Sequence, residues 1–157
     1  MKPTVYIETT IISYLTAWPS RDVVRLSHEI LTRKWWDQRE RFELYTSEIV
    51  RLEAAAGDPS AAAERLKAIE GMTVLPPSAS ALALAQRLAI DLCLPQRAQA
   101  DAGHIALAAA HGISFLLTWN CRHLANAALT DRIQNACSEA GLLAPRIVTP
   151  EVMMGFP

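Results

Sequence analysis

The sequence predicts an α/β protein with a mainly parallel β-sheet. Short apolar segments typical of strands alternate with longer helical patterns along almost the whole chain, an order that characterises parallel sheets covered by helices. The 157 residues are 51% hydrophobic, which is enough to bury a sizeable core. No apolar run approaches the roughly 20 residues that would span a bilayer. We therefore expect one domain over residues 1–157.

The first half of the chain is predicted to contain three strands joined by helices. Asp22, Ser47 and Asp58 are of the residue types that cap helix N-termini, and Gly57 and Gly71 are suited to ending helices. The predicted strands are Thr4–Ile7, Phe42–Thr46 and Met72–Leu75. The predicted helices run from Ser20 or Asp22 to about Trp36, from Ser47 to Gly57 and from Asp58 to Glu70.

The second half continues the alternation, with proline and glycine separating the elements. Pro95, Gly112 and Gly141 each follow a helical pattern and indicate its end. The predicted helices are Ser80–Leu94, Arg97–His111, Arg122–Ala140 with a break near Leu129, and a short last helix from Pro150. The predicted strands are Ile113–Leu117, the most apolar and so expected near the sheet centre, and Arg146–Val148, expected at an edge.

Acidic and amide side chains lie where strands and helices of this pattern meet. Glu8 directly follows the first strand and Asn120 the fourth, while Glu53 and Asp101 lie on helices next to strands. Ligands of open α/β sheets bind in the crevice at the carboxyl ends of the strands. Hard cations such as Mg²⁺ take oxygen ligands, and a bound cation removes the repulsion among carboxylates. The pattern indicates metal-assisted hydrolysis of phosphodiesters by an activated water.

Each of these positions has an alternative interpretation. A solvated surface charge is the alternative at Glu8, but Glu8 has apolar neighbours in sequence, where a charge is rarely buried without a partner or a metal. Asp101 also suits a first-turn acid that complements the helix dipole. Glu53 is preferred to Glu48 for the site because Glu48 lies nearer the helix start, and Asn120 is also a common turn residue.

Polar neighbours extend the predicted site. Thr9, Thr10 and Thr118 are expected either to hydrogen-bond the carboxylates or to cap local backbone. His104 lies three residues after Asp101 and shares its helix face. It is a candidate for contacting substrate phosphate or carrying a proton, and a structural histidine is the alternative.

Net charge, cysteine content and the N-terminal pattern limit the possible modes of nucleic-acid binding and the cellular location. The net charge of −1 is low for a protein that binds nucleic acid by bulk electrostatics, so RNA contact must come from a local patch, a cation or a partner chain. The three irregularly spaced cysteines predict free thiols. The chain enters a strand at once without a signal-peptide pattern, which favours a cytoplasmic location and no membrane.

Four segments in this order resemble the PIN domain family: Val5–Thr10, Glu53 with Gly57–Pro59, Ala100–Ala108 and Leu116–Asn120. The resemblance implies a three-layer α/β/α sandwich around a parallel sheet of four or five strands. It also implies an endoribonuclease dependent on Mg²⁺ or Mn²⁺, most often the VapC-type toxin of a type II toxin–antitoxin pair. Such toxins usually form homodimers and are inhibited by a small antitoxin protein. The implied catalytic and metal-binding residues are Glu8, Glu53, Asp101 and Asn120.

Two departures from the family pattern support a second hypothesis. Glu8 and Asn120 stand where the family usually has aspartate, so the site holds at most three negative charges. The alternative function is a catalytically weak or inactive PIN-like module that binds nucleic acid or protein. A receiver-like phosphoryl-transfer domain and a Rossmann protein fit less well, because no lysine follows a late strand and no glycine-rich loop follows the first.

Overall fold

The computed structural model, which describes residues 1–156, contains a parallel sheet of five strands. The strand order is β3-β2-β1-β4-β5, and every neighbouring pair is parallel. The predicted α/β class and the parallel sheet are thereby confirmed. The strands are β1 Thr4–Ile7, β2 Glu43–Ser47, β3 Thr73–Leu75, β4 Phe115–Leu117 and β5 Arg146–Val148.

Within the same residues, eight α-helices connect or follow the strands. They are α1 Thr9–Thr16, α2 Val23–Trp36, α3 Glu48–Ala54, α4 Pro59–Ala68, α5 Ala79–Asp91, α6 Gln99–Ala110, α7 Thr130–Glu139 and α8 Pro150–Met154. None of them combines the length and the apolar composition needed to cross a membrane.

The predicted capping residues start their helices as expected. The side chain of Asp22 accepts a hydrogen bond from the backbone N–H of Arg25 at the start of α2. Ser47 caps α3, and Asp58 caps α4 with Pro59 in the first turn. These caps satisfy N–H groups that have no partner within the helix, so local sequence fixes three of the helix starts.

The helices divide into two groups by packing. Helices α2, α3, α4 and α8 belong to the group of α1, because α1 packs on α2, α3 and α4, and α2 packs on α8. In the other group, α5 packs on both α6 and α7. The connections from β1 to β2 and β3 run in one direction across the sheet, and those from β3 to β4 and β5 run in the other. Because such crossovers are right-handed, the two groups lie on opposite sheet faces. The strand order reverses between β1 and β4, and the ends of these two strands form the crevice where ligands bind in such sheets.

Two regions differ from the sequence prediction. Helix α1 was not predicted, since its residues include several β-branched side chains that favour strands; it forms because Glu8 caps it through the N–H of Thr10. The predicted helix start at Arg122 is wrong, and α7 begins at Thr130. The side-chain oxygens of Asn120 and Asn126 accept backbone N–H bonds there and hold the chain in turns.

The core lies on both faces of β1 and β4. Val5, Tyr6 and Ile7 of the middle strand are completely buried, as are Leu116 and Leu117. Strand β4 lies in the interior of the sheet, beside the middle strand β1, and β5 lies at an edge. Both positions agree with the sequence prediction. The register pairs Ile7 with Leu117, which places Glu8 beside Thr118 at the carboxyl ends of the two strands.

Candidate metal centre

Glu8 is a buried carboxylate held by hydroxyl and amide donors. It is only 3% exposed. Its Oε2 accepts hydrogen bonds from the hydroxyl of Thr10 at 2.5 Å, from the hydroxyl of Thr118 at 2.7 Å and from the Thr10 N–H at 3.2 Å. Among residues 1–156 no group donates to Oε1. One oxygen is thus fixed by the protein and the other is available to a ligand.

Glu53 is brought to Glu8 by α3 and is held in a similar way. Its Oε1 accepts a hydrogen bond from Thr9 at 2.6 Å and lies 2.8 Å from Nε2 of His104. The other oxygen has no protein donor within the described part of the chain. The competing residue Glu48 is exposed in the first turn of α3, where it pairs with Arg51.

A buried chain of side chains continues from Glu53 into the protein. His104 is fully buried, and its Nδ1 lies 2.7 Å from the hydroxyl of Tyr6. That hydroxyl lies 2.6 Å from the hydroxyl of Ser47, which also accepts the N–H of Val50. Both nitrogens of the His104 ring therefore have defined partners.

The surrounding charges favour an ion pair between His104 and Glu53. Burial disfavours the imidazolium, but the hydrogen bond to Glu53 and the charges of Glu8, Glu53 and Asp101 together raise the pKa of His104 above its usual value. Burial also disfavours the Glu53 carboxylate, yet hydrogen bonding and the charge of His104, with help from Thr9, lower the pKa of Glu53. Burial raises the pKa of Tyr6 strongly, so this hydroxyl keeps its proton.

The three side chains Glu8, Glu53 and His104 form a cluster able to hold a cation. One ligand atom from each lies within 4.8 Å of the other two. Two carboxylates and an imidazole are a donor set that suits a divalent metal. The carboxylate oxygens without protein donors are consistent with such a ligand, so the residues fit a divalent cation.

Asp101 and Asn120 lie near this cluster but have other partners. Oδ2 of Asp101 is 2.9 Å from Nδ1 of His123, and both residues are partly exposed. Oδ1 of Asn120 accepts the backbone N–H groups of Arg122 and His123. The structure thus brings Glu8 and Glu53 together, and it gives Asn120 the contacts of a turn residue.

Three contributors were not anticipated from the sequence. Tyr6 lies two residues before Glu8, and the alternation of a strand was the signal that places both on one side. Ser47 was predicted only as a helix cap. The pairing of His123 with Asp101 joins residues 22 positions apart, and no local spacing indicates it.

Trp119 fixes the segment that follows β4. Its indole N–H donates to the hydroxyl of Thr32 at 2.7 Å, and its ring stacks on His28 with 4.0 Å between ring centroids. Its backbone N–H donates to the hydroxyl of Thr10, one of the groups that hold Glu8. The predicted threonines therefore contact the carboxylates: Thr9 contacts Glu53, and Thr10 and Thr118 contact Glu8.

Comparison with known proteins identifies the fold and the family of the chain. A solved chain in the VapBC2 structure from Rickettsia felis, bound to a DNA fragment from its promoter, is similar with a TM-score of 0.53 and 14% sequence identity. The match covers 93% of this chain and 98% of that one, and at this identity it shows the fold. No curated protein sequence matches the chain. The PIN domain family matches residues 5–128, and the chain belongs to that family.

Proposed function

We propose that the protein is a metal-dependent endoribonuclease that hydrolyses phosphodiester bonds of RNA. The observation that carries this proposal is the cluster of Glu8, Glu53 and His104 at the sheet's topological switch point. Two carboxylates there each keep one oxygen free of protein donors. Glu8 is buried, whereas the Glu53 side chain is 38% exposed. Burying a charge such as that of Glu8 is costly without a cation or partner, so the arrangement fits a metal-binding role.

Glu8, Glu53, Asp101 and Asn120 are the proposed ligands of Mg²⁺ or Mn²⁺. Glu8 and Glu53 already face one another, whereas Asp101 and Asn120 enter the ligand set by exchanging contacts that they now make with His123 and with backbone N–H groups. The cation, when bound, supplies a more acidic water and neutralises charge on the phosphate. Binding of that cation is the first requirement of the proposed reaction.

The residues around the proposed ligands fix the orientation of the two glutamate side chains. Thr10 and Thr118 fix the orientation of Glu8, and Thr9 with His104 fixes that of Glu53. These contacts leave the other oxygen of each carboxylate free to bind the cation. No protein nucleophile is required, since the attacking group in such hydrolysis is water.

The proposed biological context is a type II toxin–antitoxin pair. The VapBC2 structure that resembles this chain contains DNA from its own promoter. We extend that context to this protein as a cytoplasmic, homodimeric toxin inhibited by a small antitoxin. The net charge of −1 is consistent with a toxin whose affinity for nucleic acid depends partly on a partner chain.

Cleavage of labelled RNA by the purified full chain tests the proposal. We expect cleavage with Mn²⁺ or Mg²⁺, none with EDTA, and loss of cleavage in Asp101→Ala. Glu48→Gln is the matched control, because Glu48 is an exposed carboxylate on the same helix as Glu53. It should retain wild-type cleavage.

The alternative is the PIN-like module that binds nucleic acid or protein without efficient chemistry. The backbone contacts of the Asn120 side chain favour it, because they occupy the oxygen that would bind a metal. A folded wild-type protein that cleaves no RNA with either cation would exclude the nuclease. Binding of the same RNA in a gel-shift assay would then support the alternative.

A further inference from the structure

The PIN resemblance implies oxygen ligands only, but the assembled cluster contains an imidazole. We propose that Nε2 of His104 binds the divalent cation directly, beside Glu8 and Glu53, and that this nitrogen makes the site prefer Mn²⁺ to Mg²⁺. The inference rests on the proposed function, because it concerns the same cleft. It changes the ligand set and names the preferred cation.

The first argument is spacing. Nε2 of His104 lies 2.8 Å from Oε1 of Glu53. One ligand atom from each of Glu8, Glu53 and His104 lies within 4.8 Å of the other two. In an octahedral shell with metal–ligand distances of about 2.1 Å, adjacent ligand atoms are about 3.0 Å apart. A cation can therefore replace the proton between Glu53 and His104 with little movement of either side chain.

The second argument is the hydrogen bonding behind the ring. A metal-binding histidine must present a lone pair at one nitrogen and donate from the other, and a fixed acceptor at the second nitrogen selects that tautomer. Nδ1 of His104 can donate to the Tyr6 hydroxyl at 2.7 Å, and Tyr6 can donate in turn to Ser47 at 2.6 Å. When no metal is bound, Nδ1 of the imidazolium keeps the same donation to Tyr6 and Nε2 donates to Glu53.

The third argument is rigidity. His104, Tyr6 and Ser47 have no exposed surface. Removing the cation therefore leaves the imidazole in place, aimed at the two glutamates. A ligand held in advance binds without losing side-chain freedom.

Ligand chemistry gives the preference between cations. Mg²⁺ takes oxygen ligands and gives up its water reluctantly, whereas transition ions accept imidazole nitrogen. Of the two cations in the proposed function, Mn²⁺ is the transition ion. The nitrogen of His104 therefore adds more to the binding of Mn²⁺ than to that of Mg²⁺.

Electron paramagnetic resonance of Mn²⁺ added to the full chain tests the inference without an activity assay. We expect pulsed spectra of the bound ion to show coupling to a directly bonded nitrogen. In wild-type protein labelled with ¹⁵N-histidine, the coupling pattern should change from that of ¹⁴N to that of ¹⁵N. In His104→Gln it should disappear, and Mn²⁺ affinity should fall by more than the roughly 10–100-fold that loss of a supporting contact costs, with a smaller change for competing Mg²⁺.

His111→Gln is the matched control. His111 ends the same helix, and its ring contacts the backbone oxygen of Pro76 rather than the cluster. It should keep both the nitrogen coupling and the affinity for Mn²⁺. The isotope result on wild-type protein does not depend on whether His104→Gln folds, and circular dichroism reports folding of the variant.

Bound Mn²⁺ without histidine coupling, coupling that persists in a folded His104→Gln protein, or no Mn²⁺ binding by the wild type would each overturn the inference. The RNA assay separates this result from the proposed function. Cleavage with oxygen-only coordination refutes the His104 ligand and leaves the nuclease. Histidine coupling without cleavage supports the ligand and refutes the nuclease.

Discussion

Two imidazole–carboxylate pairs each include one residue of α6 and differ in how the protein holds them. His104 and Glu53 approach to 2.8 Å, and the histidine is buried with both ring nitrogens in contact. His123 and Asp101 approach to 2.9 Å, but the histidine side chain is 20% exposed and its other ring nitrogen has no partner within residues 1–156. The chemical pair is the same, while the support around it is not.

The comparison teaches that support, rather than distance, distinguishes a prepared ligand set from an exchangeable contact. Tyr6 and Thr9 hold the first pair from two sides. The second pair comes from α6 and from the turns after β4, a region that sequence patterns assign incorrectly. We therefore expect changes in the first pair to affect cation binding and stability more than equivalent changes in the second.

The largest expected difference comes from removing one carboxylate charge at a time. Glu53→Gln should weaken Mn²⁺ binding by more than the roughly 10–100-fold that loss of a supporting contact costs, because it removes a direct ligand. Asp101→Asn should weaken it less than tenfold, since Asp101 must first leave His123. Calorimetric titration of the two variants measures both effects. Equal losses would show that the two pairs contribute alike.

An effect of intermediate size is expected on the free energy of unfolding of the metal-free protein, which should depend on pH through His104 and Glu53. The raised pKa of His104 means that its contribution is complete below the ordinary value of 6.5 and is lost as pH rises through the raised value. The lowered pKa of Glu53 means that its contribution is complete above the ordinary value of 4.5 and is lost as pH falls through the lowered value. The pair should stabilise most between these two ordinary values.

Urea unfolding in EDTA across this range measures that contribution. The difference in free energy of unfolding between wild type and His104→Gln should be largest near pH 5.5 and should shrink as pH rises above neutrality. A difference that stays constant with pH would mean that the two side chains do not form the ion pair.

The smallest expected effect comes from Gly103, which lies between Asp101 and His104 on α6. A Cβ at this position would lie 2.7 Å from Cδ1 of Ile49 on α3, the helix that carries Glu53. In Gly103→Ala, the gain in helix propensity of about 1 kcal/mol offsets a similar cost of crowding, because the end of Ile49 can move. The melting temperature should change by less than about 4 °C.

The same variant should affect the two pairs unequally. Crowding that the movement of Ile49 does not relieve would displace α6 from α3, which separates His104 from Glu53 and leaves Asp101 with His123. We expect Mn²⁺ affinity to fall by less than tenfold, with little change at the His123 ring in NMR spectra. A larger shift at His123 than at His104 would reverse the assignment of the more sensitive pair.

Much of the fold could be predicted because local signals agree with the tertiary structure. Asp22, Ser47 and Asp58 start helices where the sequence places their caps. Helix α1 escaped prediction because its cap, Glu8, is an uncommon capping residue, and Thr9–Thr16 has the composition of a strand. The turns after Asn120 escaped prediction because side-chain amides replace helical hydrogen bonds there.

The candidate site was partly predictable for a different reason. Strand ends and helix starts can be read locally, so Glu8, Glu53, Asp101 and Asn120 could be singled out. Which of them share a partner depends on contacts between residues far apart in sequence, such as Tyr6 with His104 and Asp101 with His123. Hydrophobic periodicity carries no information on these pairings.

The pairing register of β1 with β4 determines which side chains reach the metal site. Tyr6 and Glu8 project to one side of the chain and Val5 and Ile7 to the other, because side chains alternate along a strand. If β1 paired with β4 one residue out of step, apolar side chains would replace both polar ones at the cleft. Cation uptake would then fail in a chain with normal helix content, so metal binding during refolding would report correct strand pairing.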